Sequence, residues 1–113
     1  MAESCLFCRI VAGEIPADVV ASTPSTLAVR DIDPQAPVHV LVIPRAHHRD
    51  VGSLADAEPG LAADLLTAAR GVAVSEGLDD YRLVFNTGTT AGQSVFHVHG
   101  HVLGGRPMNW PPG

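Results

Sequence analysis

Apolar residues recur along the chain in two periods. Between Pro59 and Glu76, Leu61, Leu65, Ala69, Val72 and Ala73 follow one another at helical spacing, and Gly77 suits the left-handed residue that closes a helix, so one long helix is predicted there. The opening run from Cys5 to Ala12 sets Leu6 with Ile10 and Phe7 with Val11 four apart, predicting a short helix that stops at Gly13. Elsewhere the apolar runs are short and β-branched. Asp18 to Ala21 and Thr26 to Asp31 predict a hairpin across the turn-forming Ser22-Thr23-Pro24-Ser25. His39 to Ile43, closed by Pro44, predicts a central strand, and Tyr81 to Asn86 another. After the loop Thr87 to Ser94, Val95 to Leu103 predicts the last strand, and the proline- and glycine-rich tail from Gly104 to Gly113 is irregular. This order of elements predicts an α+β fold whose mainly antiparallel sheet has about five strands.

Composition narrows the class. A length of 113 residues predicts a single domain over 1–113, able to bury a core without disulfides. No apolar run approaches the roughly 20 residues that span a bilayer, so no membrane partner is expected. The first residues lack the basic region and apolar core of a secretory signal, which makes the cytoplasm the default compartment and favours thiols or metal ligands for Cys5 and Cys8. Net charge is −5 with the basic residues scattered singly, so a nucleic-acid polymer is a poor partner. A small phosphorylated ligand needs no basic surface, because backbone N–H groups, hydroxyls and imidazoles can hold one phosphate.

All six histidines fall in two windows, His39-His47-His48 and His97-His99-His101. On a strand the second set projects from one face, with Phe96, Val98 and Val102 turned to the opposite, apolar side. One histidine in such a place reads as an exposed polar position. Three in alternate register point to chemistry, either a His-x-His metal site or an imidazole nucleophile with its neighbours stabilising charge. Gly92-Gln93-Ser94, just upstream, adds flexible backbone, an amide and a hydroxyl, which suit phosphoryl oxygens and a leaving group more than a metal.

These residues resemble the histidine triad (HIT) family, in its nucleotide-binding, nucleoside phosphoramidase branch. The resemblance is carried by His97-Val98-His99-Gly100-His101-Val102-Leu103, Gly104-Gly105-Arg106, the ending Trp110-Pro111-Pro112-Gly113, Asp31-Ile32-Asp33-Pro34-Gln35-Ala36-Pro37, Leu41-Val42-Ile43-Pro44 and Gly92-Gln93-Ser94. It implies a homodimer that continues one sheet across a twofold axis, and a purine nucleotide of the AMP or GMP type in each cleft. It implies that His99 attacks the α-phosphorus of a nucleoside phosphoramidate or acyl-adenylate, and that water then hydrolyses the nucleotidyl-histidine. By the same resemblance His101 binds phosphate, Ser94 lies near the leaving group, and His39 backs the triad. Gln93 and the Gly92 backbone would help hold phosphate oxygens, and Val95 would belong to the nucleotide site. Asp31 would receive the ribose hydroxyls, with Phe7, Ile10, Ile32 and Asn86 around base and sugar. Read without the resemblance, Asp31 and Asn86 are turn formers and Phe7 and Ile10 core residues.

Cys5-x-x-Cys8 is similar to the pair in zinc-containing HIT proteins, and mapping their set onto this chain gives Cys5, Cys8, His47 and His97, with His48 left out. Such a closed site would be structural, with no cofactor needed for the chemistry. The chain departs from the family pattern at Gly100, where a larger apolar residue is usual, at Val29 in place of an aromatic, and at Arg30 and Asn109 in place of histidines. Trp110 is kept. Three functions therefore compete: a phosphoramidase using His99, a nucleotide-binding scaffold with little catalysis, and a metal-dependent hydrolase ligated by His97, His99 and His101.

Overall fold

The computed structural model describes residues 4–113. In chain order the elements are α1 (Leu6–Val11), β1 (Val19–Ser22), β2 (Thr26–Arg30), β3 (Val38–Pro44), α2 (Val51–Ala57), α3 (Pro59–Ser75), β4 (Tyr81–Val84) and β5 (Gly100–Gly104). The strands form one five-stranded sheet in the order β1-β2-β3-β5-β4. Every neighbouring pair is antiparallel, so the expected α+β class and strand number hold.

β3 is the spine of the sheet, and the alternation of its side chains sorts the whole molecule. Val40 and Val42 face α3, where they pack with Ala28, Leu54, Leu65, Ala69, Val72, Ala73, Val98 and Val102 in the larger core cluster. Leu41 and Ile43 face the other way, joining Phe7 of α1 with Leu27 and Val29. A residue added or lost in β3 would exchange these two faces, because strand side chains alternate with period two. His39 shares the parity of Leu41, and the pairing of His101 with Leu41 brings both imidazoles to the α1 side of the sheet.

Local chemistry sets the helix ends. Cys5 caps α1, its Sγ accepting from the N–H of Cys8 at 3.3 Å, and Gly13 turns the chain away with φ 78°. Asp50 caps α2, accepting from the N–H of Ser53 at 2.9 Å, and that bond holds its carboxyl below the usual carboxylate range. α2 was not expected from periodicity. Its seven residues bury only Leu54, too few for an apolar stripe to stand out.

The last strand begins later than the sequence predicts. Residues 95–97 bend, 98–99 are irregular, and of the three triad histidines only His101 lies on β5. Val42 pairs with Gly100, so continuing the ladder would set Val98 opposite Pro44, which has no N–H to give. The N–H of Val98 donates instead to the carbonyl of His48 at 2.8 Å. The expectation that His97, His99 and His101 project from one strand face is corrected by this bend. Val98 and Val102 do enter the apolar core as expected.

Gly100 has a packing reason at the start of β5. A Cβ on it would lie 2.9 Å from Cζ of Phe85 and 3.1 Å from Cδ1 of Leu83, so the neighbouring strand fills the place a side chain would take. Gly100→Leu is expected to destabilise the fold by about 1–3 kcal/mol through overpacking. Phe85→Val in the same chain should recover at least half of that loss. Urea denaturation of the two single variants and the double variant measures the coupling, and strictly additive losses would show that the two positions do not compete for space.

Candidate functional site

A cavity of about 590 Å³ opens on the α1 side of the sheet, within the size range of small-molecule sites. Its apolar walls include Phe7, Ile10, Val29, Ile32 and Leu41, and its polar end gathers Asp31, Ser94, His99 and His101. The apolar part follows from β2 and β3 parity together with Phe7. The polar end follows from the bend, which delivers His99 beside His101 with their ring centroids 5.0 Å apart.

Backbone groups fix the tautomer of each ring. His99 Nδ1–H donates to the carbonyl of His97 at 2.9 Å, leaving Nε2 with its lone pair. The N–H of Gln35 donates to His39 Nδ1 at 3.0 Å, so His39 carries its proton on Nε2 and gives it to His101 Nδ1 at 2.9 Å. His101 in turn keeps a donor on Nε2. A chain of hydrogen bonds from one backbone amide thus sets an acceptor on His99 next to a donor on His101. Asp31 stands 3.4 Å from His39 Nε2, and its other oxygen accepts from the N–H of Asp33.

Burial keeps these rings neutral. Desolvation lowers the pKa of His99 against a smaller opposing pull from its bond to the His97 carbonyl. His101 falls to about 4, first by burial and then by repulsion from His99 and His39.

A second cluster lies behind the triad. His97 is fully buried, and its Nε2–H donates to the carbonyl of Pro44 at 2.8 Å, which turns the Nδ1 lone pair toward Cys5 Sγ at 3.4 Å, Cys8 Sγ at 3.5 Å and His47 Nδ1 at 3.2 Å. Cys8 Sγ is 3.3 Å from His47 Nδ1, and all four donor atoms lie within 4.8 Å of one another. A tetrahedral zinc ion about 2.3 Å from sulfur and about 2.0 Å from nitrogen spaces its ligands roughly 3.3–3.8 Å apart, so this donor set fits one. Burial and the neighbouring Cys5 thiol push Cys8 up to about 11, a cost of ionisation that a bound cation would relieve.

Comparison with known proteins places the chain. The HIT domain family model matches residues 12–108. The chain belongs to the HIT family. It is 49% identical over 112 residues to a 14 kDa zinc-binding protein of Zea mays, an alignment covering 96% of this chain and 87% of the relative. Its structure superposes on a HIT family hydrolase from Legionella pneumophila with TM-score 0.93 and 50% identity, covering 97% of this chain and all of the other. A histidine triad nucleotide-binding protein from Candida albicans matches with TM-score 0.83 and 32% identity, over 96% of this chain and 83% of that one.

Against the HIT pattern, the cavity brings together Phe7, Ile10, Asp31, Ile32, Ser94, Val95, His99 and His101. Asn86, Gly92 and Gln93 do not line it. Gln93 is 2% exposed, and its amide is fully engaged in the loop: Oε1 accepts from Gly88 N–H, and Nε2 donates to the carbonyls of Arg49 and Val95. His39 and His97 sit one layer behind the lining. Val29 and Leu41 do line the cavity, which β-strand parity signals once the register of β2 and β3 is known. Arg30, at the rim, forms two hydrogen bonds to Glu76 at 2.8 and 3.1 Å, which lower that carboxyl. Trp110 is 83% exposed at the tail.

The depressed pKa of His101 makes stability fall on acidification. The unfolded chain takes up a proton near pH 6.5 while the folded chain waits until about 4, so stability is lost as pH drops between those values, by on the order of 2 kcal/mol. Proton NMR of the His101 ring should give a midpoint well below 6. A midpoint near 6.5 would mean that the ring is open to water.

Proposed function

We propose that this HIT protein is a purine nucleoside phosphoramidase acting through a covalent nucleotidyl intermediate on His99. The observation that carries the reading is the 2.9 Å bond from His99 Nδ1–H to the carbonyl of His97, which leaves an unprotonated Nε2 at the polar end of a nucleotide-sized cavity. The Legionella and Candida neighbours, a HIT family hydrolase and a histidine triad nucleotide-binding protein, agree with it.

Base and ribose occupy the apolar chamber, with Asp31 accepting from the ribose hydroxyls. His99 Nε2 attacks the α-phosphorus, forming a P–N bond to the imidazole as the bond to the leaving amine breaks. The amine takes a proton from solvent water and departs past Ser94, and the water that later attacks phosphorus returns a proton to solvent. His101 Nε2–H donates to a phosphate oxygen as charge gathers there. Water then attacks the same phosphorus, the imidazole leaves with its electron pair, and a nucleoside monophosphate is released. An acyl-adenylate follows the same course with a carboxylate leaving.

Cys5, Cys8, His47 and His97 hold a zinc ion in this reading. The ion, when bound, ties α1 and the His97 bend to the end of β3 and supplies no Lewis acid to the reacting atoms. Among the described residues, no metal-type donor group combines His97, His99 and His101, which disfavours a metal-dependent hydrolase. The chain acts as a homodimer, and exposed Tyr81 on the outermost strand β4 and Trp110 in the tail supply apolar surface for it.

His99→Ala should lower kcat/KM for an adenosine phosphoramidate by about 10³-fold or more, since nothing else present can replace the attacking nitrogen. Rapid acid quench followed by mass spectrometry should find the nucleotidyl group on the peptide containing His99. Turnover retained in His99→Ala would exclude this nucleophile. Metal analysis of the purified protein should find about one zinc per chain, and chelation should lower Tm by several degrees. An unchanged Tm with no metal found would reduce the cluster to two thiols and two imidazoles.

A further inference from the structure

A second cavity, of about 530 Å³, adjoins the first at Ser94. The two share the wall made by Leu6, Ser94 and Val95. Beyond that wall the lining is Ser4, Phe96, the Cys5–His47 corner and Arg49, and among the described residues it holds no carboxylate and no permanently charged side chain besides Arg49. Displacement at phosphorus sends the leaving group away from His99 Nε2. The nucleoside fills the chamber bounded by Phe7, Val29 and Leu41, so the exit is past Ser94 and into this second cavity.

Arg49 is held in place from both ends. Its guanidinium carbon stands 4.3 Å from the centroid of the Phe96 ring, a cation–π contact that orients the planar group without neutralising it. Its carbonyl accepts from Gln93 Nε2 at 2.8 Å, and the same amide nitrogen donates to the Val95 carbonyl at 3.1 Å, so one buried amide fixes Arg49 relative to the Ser94–Val95 wall. No carboxylate forms an ion pair with Arg49 among the described residues. The adjacent carboxylate, Asp50, is turned into the cap of α2.

We infer that this cavity is the leaving-group subsite and that Arg49 selects leaving amines bearing a carboxylate, so that amino-acid phosphoramidates of a purine nucleoside are the preferred substrates. This rests on the phosphoramidase reading. Arg49 acts on binding and choice of substrate and touches no reacting atom. Its planar donors match a carboxylate two at a time, as few other side chains do.

The test compares two adenosine phosphoramidates of equal length, one whose amine ends in a carboxylate and one whose amine ends in the corresponding neutral amide. Wild-type protein should favour the carboxylate in kcat/KM by about tenfold, mostly through KM. Arg49→Ala should remove that preference and Arg49→Glu should reverse it. Arg49→Lys keeps the charge without the flat stack and should retain a preference of at least about threefold, which a purely structural role for the Arg49–Phe96 stack would not predict. A ratio near one in wild-type protein, or a ratio unmoved by Arg49→Glu, overturns the subsite while leaving the phosphoramidase reading intact. Turnover of neither compound by wild-type protein overturns that reading, and the subsite with it.

Discussion

The carbonyl of Pro44 accepts one hydrogen bond from a fully buried imidazole, and much of the site hangs on it. Pro44 ends β3 without an N–H, so the ladder to the last strand cannot continue past this point and the chain before Gly100 must find other partners. His97 supplies one by donating from Nε2. That bond turns its Nδ1 toward the cysteines and lets its own carbonyl receive Nδ1–H of His99. Two rings are thereby set in defined tautomers by one irregularity of the backbone, and a straight strand would have used those carbonyls in the ladder. The bend is thus the device that makes unlike roles from like residues.

Sheet parity supplies the rest. β3 is buried along nearly its whole length, yet its two faces differ: valines meet α3, while His39, Leu41 and Ile43 meet α1 and the cavity side. Burial of the valine face, at roughly 25 cal/mol per Å² of apolar area, fixes the register. Register in turn brings His39 within 2.9 Å of His101 and points the resulting donor toward the site. Stability and chemistry therefore share one constraint, since a slip of one residue would lose both.

Much of this was legible in the sequence, and what was not has physical causes. The long helix announced itself because its buried residues recur at helical spacing over seventeen positions, and β3 because five β-branched or aliphatic residues stand between prolines. The irregular stretch over residues 95–99 was hidden, since alternation of histidine with apolar residues is also the pattern of a strand. What breaks it is a hydrogen-bond deficit at Pro44, a residue far away in sequence. Gly100 likewise looked like a lost side chain, and only the approach of Leu83 from the neighbouring strand and of Phe85 just past its end gives it a reason. The Cys5, Cys8, His47 and His97 set follows from family resemblance, and the fold brings its donor atoms together from the start of α1, the turn after β3 and the bend. Gln93 shows the opposite case: a residue read as facing phosphate has its amide occupied in holding the loop.

The charge around the cavity carries a last consequence for the proposed reaction. Arg30 at the rim is matched by Glu76, so among the described residues the polar end that would meet an α-phosphate presents the Ser94 hydroxyl, two imidazoles and the Asp31 carboxylate, and no unpaired cation. A cation placed there would bind phosphate strongly in substrate, intermediate and product alike, which lowers KM without lowering the barrier. It would also draw electron density from His99 Nε2 through space and slow its attack. Neutral donors avoid both effects, because a hydrogen bond from His101 strengthens as negative charge builds on the phosphoryl oxygens and weakens as the product forms. Under this reading the burial that depresses the histidines does more than keep the nucleophile unprotonated: it provides a low-dielectric setting in which one neutral N–H is strong enough for the work of a charge.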